Sequence, residues 1–102
     1  MVKGFYRLMY YNGTNYEVKA FTLSTEFEQA KKNYSQVVEL RFGVQTADNS
    51  IRIATTLEKA QEIRDKEKGS KIIIMQPERK DKLNSDTVEE YYSVCQRLIN
   101  QV

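Results

Sequence analysis

The chain has 102 residues, sixteen basic and fourteen acidic, for a formal net charge of +2 at neutral pH. That length leaves room for one domain with one modest core, and the charges are too evenly balanced to mark a nucleic-acid binder by bulk charge. With no histidine and a single cysteine, Cys95, the composition excludes an internal disulfide, Ser-His-Asp and Cys-His catalytic sites, and the multi-cysteine zinc frameworks.

Met1–Arg7 lacks the apolar run of a signal peptide, and no stretch is apolar for long enough to span a bilayer, so a cytoplasmic, reducing setting is expected. Phe5 to Tyr11 is rich in aromatics and reads as a strand. Asn12-Gly13 is a hairpin turn signal because both residues tolerate positive φ. Tyr16 to Leu23 then returns as a second strand, with Tyr16, Val18 and Ala20 on one face. Thr25 and Glu28 have the spacing of a capping box, in which each side chain satisfies a free amide of the first helical turn. Phe27, Ala30 and Tyr34 follow at helical spacing, and Asn33 and Ser35 help to end that helix.

Gln36 to Val44 alternates, with Val38, Leu40, Phe42 and Val44 on one side and Glu39 and Arg41 on the other, which predicts one half-buried strand. A turn at 46–50 leads to a short strand, Ile51 to Thr55, with Ile51 and Ile53 inward and Arg52 outward. Thr55 and Glu58 form a second capping box; Leu57, Ala60 and Ile63 make the apolar stripe of the helix that follows, and Gly69 suits its end. Ile72-Ile73-Ile74 is apolar on both faces and reads as a central strand. Pro77 to Asn84 is polar loop. The last helix is capped by Ser85 or Asp86. Its apolar positions Val88, Tyr91, Tyr92, Cys95, Leu98, Ile99 and Val102 recur at three- and four-residue steps. Cys95 on that stripe reads as a small buried hydrophobe.

The predicted order is ββα, ββα, βα: a single α+β domain over residues 1–102, with three helices on a mostly antiparallel five-stranded sheet. Thr25-Glu26-Phe27-Glu28-Gln29-Ala30 lines up with Thr55-Thr56-Leu57-Glu58-Lys59-Ala60, a match read as shared architecture rather than shared ancestry.

Chemistry is sparse. A metal site would have to be all-carboxylate, and Glu26, Glu28, Glu89 and Glu90 read as surface charge. The four glycines are isolated, so there is no phosphate-binding loop. The expectation is a non-enzymatic protein with no catalytic residue, metal, cofactor, small-molecule substrate or membrane partner.

What remains is a surface. Alternation places Val18, Val38, Leu40, Phe42, Ile51 and Ile53 on an inner face, and Phe5, Arg7, Met9, Tyr11, Lys19, Phe21, Arg41, Arg52 and Met75 opposite. That second face mixes rings with cations. It fits a layer covered by the last helix, a protein-binding or self-association surface, or a platform for single-stranded nucleic acid. The candidate macromolecule-binding residues are Arg7, Tyr11, Lys19, Phe21, Arg41 and Arg52, with Arg79 and Lys80 from the polar loop. The leading expectation is a small accessory, adaptor or inhibitor protein whose partner is another protein, a homodimer included. A nucleic-acid-binding module is the alternative. Frequent lysine, asparagine, isoleucine and tyrosine fit an AT-rich bacterial or phage source.

Overall fold

The computed structural model describes residues 5–102; Met1–Gly4, on which the reading of the N-terminus partly rests, lie outside the described residues. The elements in order are β1 (Tyr6–Tyr11), β2 (Tyr16–Phe21), α1 (Ser24–Asn33), β3 (Ser35–Glu39), β4 (Phe42–Gln45), β5 (Ile51–Ile53), α2 (Leu57–Lys66), β6 (Lys71–Ile74) and α3 (Ser85–Asn100), with a 3-10 turn at Lys80–Lys82 before α3. The class is α+β, as expected.

The predicted single five-stranded sheet is not what forms. Among the described residues, six strands make two three-stranded antiparallel sheets, ordered β2-β1-β3 and β5-β4-β6. The predicted strand over Gln36–Val44 changes partners at Leu40-Arg41. The Leu40 amide still donates to the Arg7 carbonyl of β1, at 2.9 Å, whereas the Arg41 carbonyl accepts from Met75 and the Phe42 carbonyl from Ala54, each at 3.1 Å. Alternation alone could not reveal this change. Val38, Leu40, Phe42 and Val44 continue in phase across the break, because all four enter one core.

Each sheet is therefore a ββαβ unit. Its first strand is central, and its helix carries the chain from the second strand to the third. The β1–β2 register puts Tyr6, Leu8 and Tyr10 opposite Phe21, Lys19 and Glu17, and this is the face that α1 covers. Leu8, Phe27 and Ala30 form the buried centre there, with Tyr6, Phe21, Tyr34 and Val37 packed around them. The other face of β1 and β2 carries Arg7, Met9 and Tyr11 opposite Ala20, Val18 and Tyr16. From it, Met9 joins Val38, Phe42, Val44, Leu57, Ala60, Tyr91, Val94 and Cys95 in the larger core. The last helix covers part of this face, where the Tyr16 hydroxyl meets Thr87 Oγ1 of α3 at 2.7 Å; Val18, expected on an inner face, lies on the edge strand and is 39% exposed.

Helix starts fall one or two residues from where capping chemistry placed them. Thr25 lies inside α1, and the N-cap position, Leu23, contributes no side-chain bond. Thr56 rather than Thr55 caps α2, accepting from the Lys59 amide, while Thr55 takes a left-handed φ of 69° at the bend from β5. Asn84 rather than Ser85 or Asp86 caps α3, accepting from the Thr87 amide. The buried residues Phe27 and Ala30 of α1 and Leu57 and Ala60 of α2 nonetheless keep the spacing of the sequence match. That match records the buried face of each helix, not its cap.

Candidate functional site: an uncovered sheet face

Among the described residues, two sheets present four faces to three helices. The first sheet has α1 on one face and α3 on the other. In the second sheet, α2 and α3 pack on the face of Phe42, Val44, Ile72 and Ile74. The remaining face is set by register. Residues directly paired across antiparallel strands share a face. Ile53, Gly43 and Ile73 are therefore aligned on it, as are Ile51, Gln45 and Lys71. Arg41 and Met75 extend it one step beyond the ladder.

This face is apolar and open. Ile51 is 56% exposed and Ile53 64%. Ile73 and Met75 are half-buried and belong to neither core cluster. Gly43 leaves no side chain between Ile53 and Ile73, and Met75 lies over it: a Cβ at Gly43 would sit 2.8 Å from Met75 Sδ. Two cations mark the rim. Arg41 Nη1 donates to the Gln76 carbonyl at 3.4 Å, and Lys71 is exposed. Among the described residues neither makes an ion pair.

The sequence pattern predicts β5 the other way round, with Ile51 and Ile53 inward. Arg52 is the residue that shares the Val44 face, and its guanidinium pairs with Glu67 at the end of α2, at 2.6 Å. A three-residue strand is too short for alternation to decide which face is inward. The sequence of the Ile72–Ile74 run predicts a central strand buried on both sides. β6 instead lies at a sheet edge, and all three isoleucines are half-buried.

The eight candidate residues do not converge. Arg7 and Tyr11 stand on one face of the first sheet, Lys19 and Phe21 on the other. Tyr11 packs edge-on against Tyr16. Lys19 Nζ donates to the Tyr34 hydroxyl at 3.0 Å, and Phe21 leans on Phe27 beside a shallow depression of about 560 Å³. Arg79 and Lys80 are exposed in the turn region before α3. Only Arg41 borders the open sheet face.

Arg7 has a structural partner. Its guanidinium holds Glu58 of α2 through two bonds, 3.0 Å to Oε1 and 2.6 Å to Oε2, and the Phe5 amide donates to Oε1 at 3.0 Å. The fork clamps the first sheet to the helix of the second unit. Burial pushes the Glu58 carboxyl up, but the Arg7 and Phe5 donors outweigh it and leave the carboxyl below its usual range. A depressed carboxylate contributes stability above its unfolded pKa, and that contribution is lost as pH falls through the folded value. Glu58→Gln should therefore cost about 1 to 2 kcal/mol at neutral pH, between the values for exposed pairs and for buried charge-assisted bonds. The gap between variant and wild type should close on acidification below the carboxylate range, as read from urea midpoints across pH.

Cys95 is fully buried, and burial pushes its thiol up to about 12, which leaves no thiolate at neutral pH. Among the described residues, no group of three or more histidine, cysteine, aspartate or glutamate residues is placed to hold a metal ion. None of the described helices is long and apolar enough to cross a membrane. No protein-family model, curated protein or solved structure matches the chain.

Proposed function

We propose that this is a non-enzymatic binding protein of accessory or regulatory type, and that it engages another protein through the open face of its second sheet. The observation that carries the reading is the exposure of Ile51 and Ile53, 56% and 64%, on a face that no described helix covers. Contiguous exposed apolar surface with a polar rim is the mark of an interaction site. The nucleic-acid alternative is weaker. Arg7 and Arg52 are engaged by Glu58 and Glu67, and the open face offers isoleucine and methionine where base stacking needs rings.

Ile53→Asp tests this. So exposed a position should tolerate the change to within about 0.5 kcal/mol, leaving the circular dichroism spectrum and melting temperature near wild type. A protein captured by the wild-type chain should be lost, at least tenfold, by the variant. Equal capture by both, or capture of nothing by the wild type, would remove the open face as the binding site.

A further inference from the structure

We propose that the open face is built to receive a single amphipathic helix of a partner protein, about two to three turns long, whose apolar stripe is flanked by carboxylates. The inference rests on the reading of this face as a protein-binding surface and names its occupant.

Shape comes first. The face is three strands wide, and its strands are three or four residues long. Strands about 4.8 Å apart that rise about 3.3 Å per residue make a patch about 10 Å by 13 Å. A helix with its side chains is about 10 Å across and rises about 1.5 Å per residue, so eight or nine residues fill the patch.

The fold's own repetition supplies the precedent. In the first unit, the face turned away from α1 receives α3, an amphipathic helix that follows the second unit, over Met9, Tyr16 and Val38, while Val18 on the edge strand stays 39% exposed. The equivalent face of the second unit, turned away from α2, is the open one. The chain runs from β3 into β4 with only Leu40 and Arg41 between, so no helix follows the first unit to close it. A helix from elsewhere would take the position that α3 occupies on the first sheet.

Charge selects the flanks. The residues of this face include Arg41, just before β4, and Lys71 of β6 but no carboxylate, so glutamates or aspartates beside the partner's stripe would meet cations that make no ion pair among the described residues. Self-pairing of two such faces would bring two like-charged rims together, which disfavours a second copy as occupant.

The test uses the full chain with labelled isoleucine and methionine methyl groups, and two synthetic helical peptides. Both carry the same leucine stripe; one is flanked by glutamate, the other by lysine. The glutamate peptide should shift the Ile51, Ile53, Ile73 and Met75 methyl signals, bind at least tenfold more tightly than the lysine peptide, and weaken with added salt. Lys71→Glu should narrow that preference, and because Lys71 is exposed the variant should fold. Equal binding of the two peptides would overturn the charge-selected helix while leaving the face a protein-binding surface. Methyl shifts that appear on raising protein concentration without peptide would make a second copy the occupant, with the same consequence. No methyl response to either peptide, together with unchanged capture by Ile53→Asp, would overturn both readings.

Discussion

Tyr91→Ala should cost about 3 to 5 kcal/mol of folding stability, a large part of what a chain of this size possesses. Tyr91 is fully buried and packs its ring edge-on against Tyr92. Its hydroxyl lies where the two sheets meet. It accepts from the Arg41 amide at 3.1 Å and donates to the Met75 carbonyl at 2.8 Å, with the Arg41 carbonyl at 3.3 Å. One phenol thus fastens α3 to the point at which the chain passes from the first sheet to the second. Tyr91→Phe keeps the ring but leaves the Arg41 amide without that acceptor, a loss of about 1 to 3 kcal/mol. Burial raises the phenol well above its ordinary value of 10.0. A raised value contributes stability below the unfolded pKa that is lost as pH rises through the folded one. Alkaline unfolding of the wild type should therefore be steeper than that of Tyr91→Phe. Urea midpoints for wild type, Tyr91→Phe and Tyr91→Ala would measure all three effects. A Tyr91→Phe midpoint equal to wild type would show that the junction does not depend on the hydroxyl.

Local signals carried far along this chain where one residue decides a local geometry. Asn12-Gly13 turns the first hairpin with Gly13 at a φ of 99°, a conformation that favours glycine. Phe27/Ala30 and Leu57/Ala60 of the predicted stripes are buried at equivalent positions in the two units; in α3 the stripe residues Tyr91 and Cys95 are buried, joined by Thr87 and Val94 from outside it, while Val102 is exposed. What periodicity cannot encode is which strand pairs with which. Leu40-Arg41 shows no proline, glycine or break in alternation, yet the hydrogen bonds change owners there.

The site was hidden by the same gap. Once Gln36–Val44 is taken as one strand in one sheet, every apolar strand residue can be assigned to a covered face, and Ile51 and Ile53 fall inward by default. With two sheets there are four faces; the helices pack on three of them, α3 against both sheets at once, and β5 lies on the sheet whose other face is left open. The basic residues misled for a different reason. Arg7 and Arg52 appear free in the sequence because their partners, Glu58 and Glu67, lie 51 and 15 positions away. A single sequence shows charges without showing which are already neutralised.

Gly43→Val should detach β5 and with it the open face. A Cβ at Gly43 would lie 2.9 Å from the Arg52 carbonyl oxygen and 2.8 Å from Met75 Sδ. The methionine can swing aside. The carbonyl cannot, because Arg52 is held in the β4–β5 ladder between the Gly43–Ile53 and Gln45–Ile51 pairs. β5 has only three residues in which to absorb the shift. The smaller Gly43→Ala should cost about 1 to 3 kcal/mol as an overpacking change, and valine more. Hydrogen exchange locates the damage: amides around Ile51–Ala54 should lose protection in both variants while those of β1 keep it. Gly13→Ala is the control, since a Cβ there meets nothing within 4 Å and only its positive φ is strained, so β5 should be untouched. If Gly43→Ala left β5 protected and peptide binding intact, close packing of β5 on β4 would not be what holds Ile51 and Ile53 in place. If protection and binding were lost together while β1 stayed closed, the close approach at Gly43 would be what presents these two isoleucines to a partner.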